Sequence, residues 1–178
     1  RVFAQDDQGY RRLMELSSAA YLEASDGVPK LAKAHLLERT EGLILLTGGA
    51  AGQVARLCAK GKIDAAAEEL AMLAEAYPGR IYVEITRHGT DAERESEAPL
   101  LDLAYDQGLP IVATHDARFL SPDDAPAHDA LMCIANGEYL GQEDRQQVAP
   151  SQYLKTAAEM GELFADLPEA LATTAEVA

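Results

Sequence analysis

The chain has 178 residues, 15 Lys+Arg against 30 Asp+Glu, a formal net charge of −15, and a hydrophobic share of 48%. That length fits one domain, or one and a fraction, and can bury roughly two thirds of its unfolded surface. No run approaches the ~18 apolar residues of a membrane span, two cysteines cannot make a disulfide scaffold, and scattered bases exclude a basic strip for gripping nucleic acid.

The opening Arg1-Val2-Phe3-Ala4-Gln5-Asp6-Asp7 is not a signal peptide, because acids follow three apolar residues at once. It carries no initiator Met, so the chain is read as a fragment of something longer. Tyr10 to Leu22 repeats Leu13, Leu16 and Ala20 at helical spacing. Asp26-Gly27-Val28-Pro29 breaks that helix, and a weaker one follows over Leu31–Leu37. Gly42-Leu43-Ile44-Leu45-Leu46 reads as a strand buried on both faces. Gly48–Gly52 is a tight turn into a helix over Gln53–Ala59, and Ile63–Tyr77 is another helix, stopped by Pro78-Gly79.

Ile81–Ile85 is the second strand. Thr90 and Glu93 form a capping box that opens a helix to about Gln107. Pro110–Thr114 is the third strand, and Ser121-Pro122 starts a helix to about Asn136, stopped by Gly137. Residues 138–150 are polar and loop-like, Thr156–Glu159 is a further capping box, and Pro168 opens the last helix. Strand and helix alternate, which predicts an α/β fold with a parallel sheet. Three strands are too few for a closed barrel.

In parallel sheets, ligands bind beyond the carboxyl ends of the strands. Those rims carry Thr47–Gly52, then Thr86-Arg87-His88-Gly89, then His115-Asp116-Ala117-Arg118. Imidazole and carboxylate at one rim are the vocabulary of a hydrolytic metal site. His88 reads either as a ligand or as an exposed turn residue, and Asp116 either as a ligand or as a turn cap. His115 is out of phase with Asp116 and is a weak candidate. His35 and His128 lie on helices, and Cys58 and Cys133 read as core residues. The Gly48–Gly52 turn lacks the Lys of a phosphate-binding loop, so tight packing explains it better. The charges of Glu93-Arg94-Glu95-Ser96-Glu97 read as a solvated helix face, whereas Glu84, inside an apolar strand, needs a partner or a pocket.

Several ordered blocks carry a family resemblance. They are Asp7–Leu13, Glu41–Gly52, Tyr82–Ile85 with His88-Gly89, Leu109–Leu120, Ala127–Asp129 and Glu162–Leu171. Together they resemble the alpha subunits of bacterial DNA polymerase III, the C-family replicative polymerases, in their PHP (polymerase and histidinol phosphatase) domain. The resemblance implies part of an irregular (β/α)7 barrel lacking its N-terminal strands. Residues 1–137 would be its C-terminal part, and 138–178 a loop and helices leading towards the polymerase domains. Intact members hold metal ions through His, Asp, Glu and Cys and can hydrolyse phosphoesters.

Carried over residue by residue, the resemblance puts ligand positions at Gly49, His88, Asp116 and Arg118. Metal-binding relatives have Cys where Gly49 stands and His where Arg118 stands. His88 and Asp116 are the retained positions, able to hold a metal if one is kept. A guanidinium at Arg118 can pair with Asp116 and replace the metal's charge. The expectation is a degenerate site with no catalytic residue and no cofactor in this segment, in a structural domain that docks the proofreading exonuclease subunit. The parent would copy DNA from deoxynucleoside triphosphates with Mg²⁺ in the cytoplasm, alongside other replicase subunits and away from membranes. Two alternatives stand beside this one. The first is a metal-dependent phosphoesterase or 3′–5′ exonuclease with an intact PHP site; the second is a free-standing interaction module.

Overall fold

The structure, a computed structural model, describes residues 1–24, 27–142, 144–145 and 147–178. Asp26, part of the expected break after the first helix, lies outside the described residues. Four strands form one sheet: β1 (Val2–Ala4), β2 (Leu43–Leu46), β3 (Ile81–Ile85) and β4 (Ile111–Ala113), in the order β1-β2-β3-β4. The three expected strands pair parallel, Leu45 against Ile81 and Val83 against Ile111. The sheet is nonetheless not wholly parallel. A fourth strand at the front, β1, runs antiparallel to β2, with Val2 opposite Leu45. Three residues give no alternation to read, so β1 exists because β2 offers it an edge.

Helix α1 (Asp7–Leu22) starts where the Asp6 side chain accepts from the Gly9 N–H at 2.8 Å. Gly9 sits so close to Gly42 that a Cβ there would lie 1.8 Å from the Gly42 carbonyl oxygen. This contact locks the first turn of α1 against the entry to β2. After α2 (Lys33–Leu37) and β2, a 3-10 turn at Gly49–Ala51 leads into α3 (Gln53–Ala59) and α4 (Ile63–Ala76). Helix α5 (Asp91–Asp106) opens on the expected Thr90–Glu93 capping box. Ser121 caps a 3-10 turn over Pro122–Asp124, and α6 (Ala125–Asn136) follows, ending at Gly137 in the left-handed region. Thr156 caps α7 (Ala157–Leu163), and Pro168 opens α8 (Pro168–Val177).

One core binds these elements. Leu43, Leu45, Val54, Leu70, Val83, Leu100 and Ile111 pack on one side of the sheet. Phe164, Leu167 and Ala170 belong to the same buried cluster, so the C-terminal helices complete it. Ile44, Leu46 and Val112 form a smaller cluster on the other side, against Tyr82 and Val177. Successive residues of β2 therefore point into opposite apolar layers, which is why the strand has no polar alternation. Cys58 and Cys133 are buried thiols, unlinked to each other. Among the described residues no helix is long and apolar enough to cross a membrane.

Candidate functional site at the sheet rim

The three parallel strands deliver their carboxyl-end residues to one rim. Glu84 is the fixed point there. It is fully buried in β3, so its charge needs partners. Arg1 Nη1 lies 2.6 Å from its Oε1, the Thr114 hydroxyl donates to the same oxygen at 2.5 Å, and the Gly48 N–H donates to Oε2 at 3.0 Å. The Glu84 N–H in turn donates to Thr47 Oγ1 at 2.9 Å. Residues after β2 and β4 thus meet on a carboxylate of β3. Glu84 did need a partner, and Arg1, from outside the expected rims, supplies it.

Asp116 lies beside this group. Arg118 Nε and Nη2 both donate to Asp116 Oδ2, at 3.0 and 2.6 Å, and Arg1 Nη2 stands 3.9 Å from Oδ1. Two cations and two carboxylates therefore interleave at the rim. Charge-assisted bonds of this kind fix geometry more firmly than neutral ones. Gly49 adds no side chain, and its backbone is left-handed at φ +55°. A Cβ there would sit 3.0 Å from Thr86 Cγ2 and 3.1 Å from Oγ1, so the Thr86 side chain fills the space a larger residue would need. The glycine turn is a packing feature, as its sequence indicated.

His88 is not an exposed turn residue: its side chain keeps only 7% of its accessible surface. Its Nδ1 is 2.8 Å from Glu93 Oε1, and the Asp116 N–H approaches Nε2 at 3.3 Å. With that N–H donating to Nε2, the ring proton sits on Nδ1, facing Glu93. Glu93 also accepts from the His88 and Thr90 backbone N–H groups at 2.9 Å each. Burial alone would raise its pKa; the bonds from the His88 ring, the two backbone N–H groups and the Thr86 hydroxyl win and hold it at about 2.

This corrects the reading of residues 93–97 as a solvated face. Glu93 and Ser96 are buried, and Glu97 binds Arg87 Nη2 at 2.6 Å. An acidic run looks solvated until its cationic and imidazole partners are known. Only Arg94 and Glu95 of that run face water. Arg87 also donates to Asp166 and to the Leu163 carbonyl and lies 4.8 Å over the Phe164 ring. The bonds to Asp166 and Glu97 raise its pKa.

A strap from Ser151 to Leu154 closes the side of the rim. Ser151 Oγ donates to the His88 carbonyl at 2.7 Å, Gln152 Nε2 to the Asp116 carbonyl at 3.1 Å, and the Arg118 N–H to the Gln152 carbonyl at 2.7 Å. Phe119 and Tyr153 form a parallel bridge. His115 does point away from Asp116: its Nε2 meets the Tyr153 carbonyl at 2.8 Å, and its ring stacks 4.8 Å from His88. Burial lowers the His115 pKa against the pull of the Tyr153 carbonyl, and its buried Nδ1 has no hydrogen-bond partner among the described residues. His35 lies 3.6 Å from Glu23, and the His128 ring rests on Phe119. Neither belongs to the rim. Arg1, Glu93, Thr114 and the strap were not found from sequence as site residues; an acid inside an apolar strand was the one available signal.

The residues expected at ligand positions do not fit a metal ion as they stand. Asp116 is taken by Arg118, and Glu84 by Arg1, Thr114 and Gly48. Both His88 nitrogens face hydrogen-bond partners, and position 49 offers no donor. Among the described residues no three His, Cys, Asp or Glu side chains are grouped to hold an ion.

Comparison with known proteins gives this arrangement its context. Residues 1–88 match the family model of the PHP domain. The chain is 44% identical over 178 residues to DNA polymerase III subunit alpha of Caulobacter vibrioides, and 38% identical over 179 residues to that of Escherichia coli. It is 34% identical over 189 residues to the Helicobacter pylori subunit. Each match covers 99% of this chain. The chain belongs to the DNA polymerase III alpha family, in the region that bears the PHP domain. It spans 15–16% of the length of these relatives.

Proposed function

We propose that this chain is the PHP portion of a bacterial replicative polymerase subunit, serving as a structural module whose metal site has been replaced by ion pairs. The carrying observation is the double donation from Arg118 to Asp116, with Arg1 held over buried Glu84 a few ångströms away. The guanidinium groups supply positive charge where the family's metals would, and they supply it permanently. A hydrolytic PHP centre needs open carboxylates and a free imidazole to activate water; here Glu84 and Asp116 are ion-paired and both His88 nitrogens face hydrogen-bond partners. That weighs against the phosphoesterase reading.

On this proposal the four strands are part of a (β/α)7 barrel. Residues 1–137 are its C-terminal portion, and 138–178 lead towards the polymerase domains. The parent copies DNA from deoxynucleoside triphosphates with Mg²⁺ in the cytoplasm, through residues outside this segment. This segment carries no catalytic residue and no cofactor, and docks the proofreading exonuclease subunit. The net charge of −15 supports a protein-facing module set away from DNA.

The test is metal analysis of the purified full-length parent alongside primer extension. The expected result is DNA synthesis with added Mg²⁺ and no tightly held metal that disappears in an Asp116→Ala variant. Stoichiometric zinc or manganese lost in that variant would overturn the proposal.

A further inference from the structure

Among the described residues, α6 is the helix whose exposed face carries no charge. Its exposed residues are Pro126, Ala127, Leu131, Ile134, Ala135 and Asn136, and none is charged. Leu131 and Ile134, one turn apart on the same side, keep 63% and 77% of their surface. Tyr139 and Leu140, just beyond Glu138 after the Gly137 stop, are likewise exposed. By contrast the outer face of α5 carries Asp91, Arg94, Glu95, Asp102 and Asp106. In a chain that is 25% charged, a helix face with no charge is not built for water.

Only Cys133 of α6 is buried, so the helix has little hold on its own core. Its tether is Asp129, which accepts from Arg145 Nη2 at 2.8 Å. Transient interfaces are more polar, and permanently covered ones resemble a divided core. A second copy is disfavoured because both copies would carry −15. The relatives carry more than five sixths of their polypeptide outside the matched region, with 15–16% inside it.

We infer that the outer face of α6 is a permanent docking surface for another segment of the same parent polypeptide, packed onto Leu131 and Ile134 as an apolar ridge. Asp123 and Asp124, just before α6, and Glu138, just after it, favour cations flanking that ridge. The inference rests on the reading of the chain as part of a larger replicative polymerase subunit.

The test places the photo-crosslinker p-benzoylphenylalanine at Leu131 in the full-length parent, with the same residue at exposed Asp91 as control. A reactive ketone captures only atoms in contact, so the expected yield at Leu131 is at least ~5-fold above the control. The cross-link is expected within one polypeptide, to residues outside those aligned here, without added partners. A cross-link that forms only with the exonuclease subunit, a covalent dimer, or a yield equal to the control would each overturn it. Stoichiometric metal in the parent would sink the proposed function and leave this cross-link unchanged, so the two failures are distinguishable.

Discussion

Arg1 and Glu84 stand 83 positions apart in sequence and 2.6 Å apart at the sheet rim. The carboxylate is fully buried and the guanidinium is partly in water. The antiparallel strand β1 is what brings the cation there. A strand that adds little to the core therefore neutralises the acid buried in β3.

Removing that cation should cost more than an exposed ion pair. Arg1→Ala leaves Glu84 buried with only the Thr114 hydroxyl and the Gly48 N–H as donors. The expected loss is about 3 kcal/mol, the low end for breaking a buried pair, because Arg1 is half solvated. Denaturant unfolding of the parent's PHP region would read it. The Arg1→Ala, Glu84→Gln double variant should recover part of the loss, since it leaves no charge buried at position 84.

Arg87 ties the rim to the C-terminal helices. Its fork reaches Glu97 on α5, Asp166 and the Leu163 carbonyl, and it covers Phe164. Lysine keeps the charge but cannot hold this geometry. Arg87→Lys should cost about 2 kcal/mol and raise hydrogen exchange over residues 157–177. Unchanged exchange there would show that the fork is not what holds α7 and α8.

The acid limb of the stability curve should carry Glu93. Its pKa falls from 4.5 to about 2 on folding, so the native state holds its proton more weakly than the unfolded chain. Its stabilisation is complete above about pH 4.5 and disappears as pH falls through about 2. A Glu93→Gln variant should lose stability at neutral pH and show a shallower decline between those limits. A variant with the parent's full acid slope would remove Glu93 from the account.

Gly49 is held by its backbone as much as by its neighbour. Gly49→Ala should cost about 1–2 kcal/mol, from the left-handed backbone and from pressure on Thr86. Adding Thr86→Ala should return only the steric share. Full rescue would show that the backbone conformation contributes nothing.

Much of this architecture was legible because glycine, proline and capping residues punctuate it. Ile81–Ile85 and Gln53–Ala59 fall where the apolar runs and Gly breaks put them. Thr90 and Thr156 cap as their spacing indicated. The site was less legible. Glu93 sits among acids, and only its meeting with His88 five residues away shows that it points inward. Arg1 was invisible as a site residue because its partner lies across the sheet. Residues 151–154, between the polar run 138–150 and the Thr156 cap, carried no pattern, and their role depends on backbone groups at His88, Asp116 and Phe119. Local pattern finds elements; it does not find polar pairings that tertiary contact creates.

The most direct test is a crystal of the full-length parent grown with millimolar Mn²⁺, with anomalous scattering measured at the manganese edge. The account expects no anomalous peak among Glu84, His88 and Asp116, with both guanidinium groups in place. A full-occupancy peak there, with Arg118 swung away from Asp116, would contradict it.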